Sequence, residues 1–146
     1  MIKSVSILPS RLRRKAAIAQ KKFSLFQSRY GAAHLALLYQ AAFPVALTPD
    51  LLYRLWANFQ RDIQGNFLYI PWIAVSDILL SELCQEVGDA LYEIDETVRD
   101  QLLLQLQADQ RFGQRRVQEL SDFLLDYVQD QLQSNDLDVQ DFARAQ

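Results

Sequence analysis

The sequence predicts a mainly α-helical protein, folded as a single compact domain of about six helices, with a small β-hairpin wing as the one non-helical element. Three observations support this fold class. The chain has 146 residues, half of them apolar, which is enough to form a real core in one domain. Glycine and proline number only four each, so long irregular stretches are not expected. Apolar residues recur at helical spacing along most of the chain.

The first helix is predicted over residues 10–30. Its apolar positions are separated alternately by four and three residues, the spacing of a heptad seam. They are Leu12, Ala16, Ala19, Phe23, Phe26 and Tyr30. Ser10 is expected to cap the start of the helix, and Gly31 to end it. We therefore interpret residues 1–30 as a basic, amphipathic N-terminal helix that packs on a body formed by residues 31–146.

Two further helices are predicted in the next thirty residues. The first, Ala32–Phe43, is mostly apolar and is stopped by Pro44, which disfavours helix in the residue before it. The second begins at Thr48-Pro49-Asp50 and runs to about Arg61. In this start signal, threonine caps the helix, proline suits its first turn, and aspartate lies at the positive end of the helix dipole.

The middle of the chain mixes turns with short elements. Gln64-Gly65-Asn66 signals a turn, residues 67–71 form an extended apolar link, and residues 72–81 form a helix. Residues 82–94 fit either a helical stripe or a hairpin of Leu83–Val87 against Ala90–Ile94. We prefer the hairpin narrowly, because Gly88-Asp89 is a turn pair. Asp95 then caps a helix that is broken at residues 111–113, and a long helix covers residues 114–133.

Charge is divided sharply along the sequence. Residues 1–49 carry eight Lys or Arg and no acid, whereas residues 50–146 carry seven Lys or Arg and all 18 acids, a net of 7 − 18 = −11. The first helix has a basic face: Arg11, Arg14, Lys15, Lys21 and Lys22. The last helix has an acidic face: Glu119, Asp122, Asp126 and Asp130. We expect these two faces to pair, with solvation of both faces as the alternative.

The sequence offers little support for catalysis or for a bound cofactor. One histidine and one cysteine, Cys84, cannot form a Cys/His zinc cluster or an intramolecular disulfide. His34 lies in an apolar helix, which favours a structural role. Glycine-rich phosphate loops are absent from the sequence. We therefore predict a protein that is not an enzyme, has no cofactor and no metal, does not span a membrane, and is cytoplasmic.

The aromatic segment from residue 53 to residue 72 is the best candidate for a partner-binding surface, because tyrosine, tryptophan and arginine dominate binding hot spots. The residues assigned to it are Tyr53, Trp56, Phe67, Tyr69 and Trp72. The alternative is that most of these side chains belong to the core, with residues 67–69 the most exposed.

Three stretches of sequence also carry a resemblance to a known family. They are FPVALTPDLLYRLWANF at residues 43–59, IPWIAVSDILLS at residues 70–81, and LYEID at residues 91–95. They resemble a helical, winged-helix-like module of large cyanobacterial and other bacterial signalling proteins. In those proteins the module adjoins caspase-like, STAND ATPase, formylglycine-enzyme-like or β-propeller segments. The resemblance spans residues 30–146, and relatives continue beyond the point where this chain ends.

This resemblance implies an adaptor or regulatory module without catalytic activity, with the hairpin as its wing. Its partner would be another protein or a second copy of the chain. The alternative function is weak binding of nucleic acid, without sequence specificity, through the basic first helix. Nucleic acid is the less favoured partner, because residues 48–94 carry two arginines against seven acids, a net of 2 − 7 = −5.

Overall fold

The computed structural model describes residues 9–133 and 143–146. Six helices are bounded within them: α1 (Ser10–Tyr30), α2 (Ala32–Ala41), α3 (Pro49–Asn58), α4 (Ala74–Leu79), α5 (Glu96–Ala108) and α6 (Gly113–Leu132). A two-stranded antiparallel sheet, β1 (Cys84–Gly88) and β2 (Leu91–Ile94), lies between α4 and α5. The predicted helical domain with a small hairpin is confirmed.

The middle four positions of the α1 heptad seam are buried, whereas the first is exposed and the last, Tyr30, is partly buried. Ala16, Ala19, Phe23 and Phe26 are buried, whereas Leu12 is exposed. Helix α1 packs against α5 and α2. It ends at Gly31, whose φ of 88° lies in the left-handed region that favours glycine.

The start of α1 differs from the prediction. Ser10 lies inside the first turn and accepts no backbone N–H at the helix start; its hydroxyl accepts a hydrogen bond from the Arg13 guanidinium instead. The reason is that the carbonyl of Pro9 already accepts the first helical bond, from the Arg13 N–H at 2.9 Å. Ser10 is thus wrong as the capping residue. Residues 1–8 of the predicted N-terminal segment lie outside the described part of the chain.

Helix α2 forms the centre of the core. All of its residues from His34 to Ala41 are buried. It ends two residues before the predicted Phe43, because Arg99 of α5 supplies donors for the free carbonyls at its C-terminal end. The Arg99 guanidinium donates to the oxygen of Ala42 at 2.7 Å and to that of Phe43 at 2.9 Å.

The hairpin interpretation of residues 82–94 is confirmed: β1 is shifted by one residue from its predicted bounds, and β2 begins one residue later than predicted and ends at the predicted Ile94. Cys84 pairs with Ile94 and Gly88 with Leu91, and Ala90 turns the chain at a φ of 53°. Leu47, just before α3, extends this sheet by an isolated antiparallel bridge: it exchanges two 2.8 Å backbone hydrogen bonds with Tyr92. The hairpin is thereby tied to the start of α3.

Helix α6 is held to the body by a buried arginine that the sequence analysis missed. The Arg116 guanidinium lies between the rings of Phe59 and Phe112. It donates to the side-chain oxygen of Gln40 and to the backbone oxygen of Arg61, both at 2.5 Å. Arg116 precedes the inward-facing Leu120 by four residues, so the helical period could have placed it on the buried face.

The predicted pairing of the basic first helix with the acidic last helix does not occur within one molecule. Helix α1 packs against α5 and α2, and none of the ion pairs among the described residues includes a cation of α1. Complementary charge alone does not determine which helices become neighbours, because an exposed ion pair is worth at most about 1 kcal/mol, much less than the packing of an apolar seam.

Candidate interaction surfaces

The predicted aromatic residues lie on α3 and on the connection from α3 to α4, and four of them form two ring pairs. We call Tyr53, Trp56, Phe67, Tyr69 and Trp72 the aromatic patch. The rings of Tyr53 and Trp56 are 5.3 Å apart, and those of Phe67 and Tyr69 are 5.1 Å apart. The Trp56 indole N–H donates to the backbone oxygen of Ile70 at 2.8 Å. This bond links α3, which carries the first pair, to the connection that carries the second.

Most of the aromatic patch is exposed. Tyr69 and Trp72 retain 78% and 65% of their accessible surface, and Tyr53 and Phe67 are also exposed, whereas Trp56 is partly buried. The alternative assignment of these side chains to the core therefore holds only for Trp56. Exposed patches of large apolar side chains often mark interaction sites.

The connection that carries the patch is firmly held. Asp62 accepts hydrogen bonds from the backbone N–H groups of Gln64 and Asn66, both at 2.9 Å. Burial acts to raise the pKa of Asp62, but these backbone donors hold it below its ordinary value. The Leu68 N–H also donates to the oxygen of Gln60 at 2.9 Å. The aromatic side chains are therefore presented by an ordered loop, which lowers the entropic cost of binding.

Tyr69 has a strained backbone. Its φ is 57°, a conformation that costs a residue with a side chain of the order of 1 kcal/mol or more. The tyrosine ring at this position gains little burial in return. Strain at an exposed aromatic residue is the kind of local cost that functional sites carry.

The basic face of the first helix is open to solvent. Arg11, Arg14, Lys15 and Lys21 are exposed, and Lys22 is partly buried. A groove of about 820 Å³ runs beside the C-terminal half of α1, between it and the turn that links α4 to β1. A smaller groove of about 250 Å³ lies beside its N-terminal half, where Lys15 and Lys22 face Asp95 and Glu96.

The four acids of the acidic face of α6 differ in their contacts and in their exposure. Glu119 accepts a hydrogen bond from Arg116 at 3.0 Å, so it belongs to the network of the buried arginine. Asp122 accepts a hydrogen bond from Gln118 at 3.1 Å. Asp126 and Asp130 are exposed. The outer surface of α6 therefore keeps three exposed carboxylates close together.

The single histidine lies against a carboxylate that is distant from it in sequence. His34 Nε2 lies 2.9 Å from a carboxylate oxygen of Asp77, 43 residues away, and the imidazole stacks on Tyr30 at 5.0 Å. Among the described residues, no hydroxyl or thiol hydrogen-bonds to His34 in a manner that would make it a general base for a nucleophile. This pair fixes α4 against α2.

The single cysteine is not an activated nucleophile. Burial raises the pKa of the Cys84 thiol to about 12, so the reactive thiolate is scarce at neutral pH. The described residues also hold no group of three or more side chains suited to a metal ion. Within the same residues, no helix combines the length and the apolar character that crossing a membrane requires.

Comparison of the chain with protein-family models, with curated proteins and with solved structures found no match. The architecture and the surfaces described above are therefore the basis for a functional proposal.

Proposed function

We propose that this protein is a non-enzymatic interaction module, an adaptor or regulatory part of a bacterial signalling or conflict system, that binds a protein partner through the aromatic patch. The observation that carries the proposal is the exposed, strained Tyr69 beside the exposed Trp72 on an ordered loop. Aromatic residues presented in this way supply binding energy at low entropic cost. In this proposal the protein works in the cytoplasm.

The order of elements supports a winged-helix-like interpretation of the body. Helix α2, the bridge at Leu47, helices α3 and α4, and the β1–β2 hairpin follow one another in the order helix, strand, helix, helix, wing. In DNA-binding proteins with a helix-turn-helix, the recognition helix lies in the major groove and the neighbouring helix crosses the phosphate backbone. Here the corresponding region has a net charge of −5, which favours a protein partner over nucleic acid.

The test is affinity capture from a lysate of the source organism with matched variants. The double variant Tyr69→Ala/Trp72→Ala removes the two most exposed aromatic rings of the patch. The control, Val87→Ala, removes an exposed apolar side chain of the hairpin that is not a member of the patch. We expect a partner that is retained by the wild type and the control and lost with the double variant.

Two results would contradict the proposal. If every captured protein binds the double variant as well as it binds the wild type, the aromatic patch is not the partner surface. If the purified protein shows a catalytic turnover that His34→Ala abolishes, the chain is an enzyme and the buried His34–Asp77 pair has a chemical role.

A second candidate is weak nucleic-acid binding through α1, favoured by the exposed cations of its basic face. Such binding would be independent of sequence and would weaken steeply with salt. Fluorescence anisotropy with a random duplex checks it: charge reversal at Arg11 and Arg14 should abolish binding at low salt. An absence of binding at low salt removes this candidate.

A further inference from the structure

Helix α1 carries a second seam directly beside its buried one. Its members, separated alternately by four and three residues, are Arg11, Lys15, Ile18, Lys22, Leu25 and Arg29. We call them the outer seam. Ile18 and Leu25, seven residues apart, remain 57% and 59% exposed. Apolar residues seven apart and flanked by charges are typical of a helix that receives another helix.

The outer seam forms one wall of the two grooves beside α1. Leu25 and Arg29 line the larger groove, Lys15 and Ile18 line the smaller one, and Lys22 lines both. On the opposite wall of the larger groove, Leu80 is 80% exposed. Cations line the α1 edge of both grooves, and acids line the facing wall: Glu82 in the larger groove, and Asp95 and Glu96 in the smaller one. An occupant that matches this arrangement is apolar at its centre and carries its acids on the side that meets α1.

The outer surface of α6 has that chemistry. Leu125 and Leu132 are exposed and also seven residues apart, about 10.5 Å along a helix. At 100° per residue, Asp122 lies about 60° from Leu125 and about 80° from Leu132, so the leucines border the acidic stripe on its Asp122 side. The apolar spacing of α6 equals that of Ile18 and Leu25, and the flanking charges are opposite.

The two surfaces do not meet within one molecule, since α1 packs against α5 and α2 and no ion pair among the described residues joins α1 to α6. We propose that α6 of one molecule docks in the α1 groove of a second copy. The contact joins two different surfaces, so it either occurs twice in a two-fold dimer or repeats head to tail to close a ring or extend a filament. It uses neither Tyr69 nor Trp72 and goes beyond the proposed function of the aromatic patch.

The test is the mass of the full chain in solution, measured by light scattering after size-exclusion chromatography, over a range of concentrations. Variant A is Lys22→Glu/Arg29→Glu and variant B is Asp122→Lys/Asp126→Lys. Each places like charges across the contact, and each should raise the concentration at which oligomers form by about tenfold or more. An equimolar mixture of A and B restores opposite charges across both contacts and should restore assembly.

The matched control is Arg14→Glu/Lys21→Glu, which makes the same change in net charge on α1 at positions outside the grooves. It should assemble like the wild type, as should Tyr69→Ala/Trp72→Ala. Assembly should also weaken between about 0.1 M and about 1 M salt, where the Debye length falls from about 10 Å to about 3 Å. Circular dichroism verifies that every variant is folded.

Three results would overturn the proposal. One is a wild-type chain that stays at the monomer mass of 16.9 kDa at every concentration in low salt. Another is a control that disrupts assembly as much as variant A does, which would indicate a general effect of charge. The third is an equimolar mixture of A and B that stays monomeric. That result would overturn the proposal even if the wild type bound anionic vesicles or nucleic acid. If Tyr69→Ala/Trp72→Ala no longer captures a protein partner but still forms oligomers, the result supports this contact, because capture and assembly then use different surfaces.

Discussion

At the residue scale, Tyr69 has a backbone conformation that is unfavourable for folding and a side chain that is exposed to a partner. Because its φ is positive, Tyr69→Gly should be more stable than Tyr69→Ala by roughly 1 kcal/mol, although glycine normally costs more conformational entropy. Tyr53, also exposed and in the same patch but within α3, is the control. There glycine should be less stable than alanine by roughly 1 kcal/mol. Urea denaturation of the four variants measures both differences, and the same order at both positions would show that Tyr69 is unstrained.

The buried Arg116 should be far more sensitive to substitution than its exposed neighbour on α6. Arg116→Ala removes the donor to Gln40 and to the Arg61 carbonyl and empties the space between two aromatic rings. We expect the free energy of unfolding to fall by about 3–5 kcal/mol. Its exposed neighbour provides the control: Arg115→Ala should change stability by less than about 0.5 kcal/mol. Equal effects in chemical denaturation would show that Arg116 does not hold α6 to the body.

The thiol of Cys84 gives a prediction with a definite pH window. Its pKa is about 12 in the folded protein against an ordinary 9.0, because burial disfavours the thiolate. The neutral thiol therefore contributes stability that is fully present below about pH 9 and lost between about pH 9 and pH 12. A thiol reagent at pH 8 should label Cys84 slowly in the native protein and quickly in urea, and Cys84→Ser reports the background. Rapid labelling without denaturant would contradict this assignment.

At the element scale, two hydroxyl residues near helix starts should behave differently. The side chain of Thr48 accepts the Leu51 N–H at 3.1 Å, so Thr48→Ala should destabilise the protein by about 1 kcal/mol. Ser10 makes no such bond at the start of α1, and Ser10→Ala should cost less than about 0.5 kcal/mol. Thermal unfolding of the two variants makes the comparison. A larger loss from Ser10→Ala would restore Ser10 as the cap of α1.

The elements also show which signals in the sequence were sufficient. The start of α3 could be placed because three agreeing signals, Thr48-Pro49-Asp50, mark it. The seam of α1 could also be placed, because it depends on the local period of the helix. The prediction of Ser10 as the cap was wrong because it depended on one residue alone. The carbonyl of the preceding Pro9 accepts the first helical bond instead. The end of α2 could not be found locally, since Arg99, 57 residues beyond Ala42, supplies its donors.

At the scale of the whole molecule, the aromatic patch was predictable and most contacts of the charged groups were not. The aromatic residues lie close together in sequence, so α3 and the connection to α4 carry all five, and local contacts pair four of the rings. His34 and Asp77, and Arg116 and Gln40, are 43 and 76 residues apart and meet only because the helices pack in one arrangement. The charge split likewise suggested that α1 pairs with α6, whereas apolar packing places α1 against α5 and α2.

The same packing determines what removal of the first helix should do. Phe23 and Phe26 of α1 belong to the hydrophobic core cluster, together with Leu38 of α2 and Leu102 of α5. Loss of one buried phenylalanine side chain costs about 3–5 kcal/mol, and a typical domain is stable by only about 5–15 kcal/mol. The chain reduced to residues 31–146 should therefore lose near-ultraviolet circular dichroism and cooperative unfolding.

The matched control for this truncation is the full chain with Ile18→Ser/Leu25→Ser, which changes only exposed positions of α1 and should keep cooperative unfolding. If residues 31–146 instead unfold cooperatively with unchanged near-ultraviolet circular dichroism, α1 is an appendage and the body folds alone. If they fail to fold while the serine variant folds and does not assemble, α1 serves both purposes at once. Its inner seam would complete the core, and its outer seam would receive a second copy.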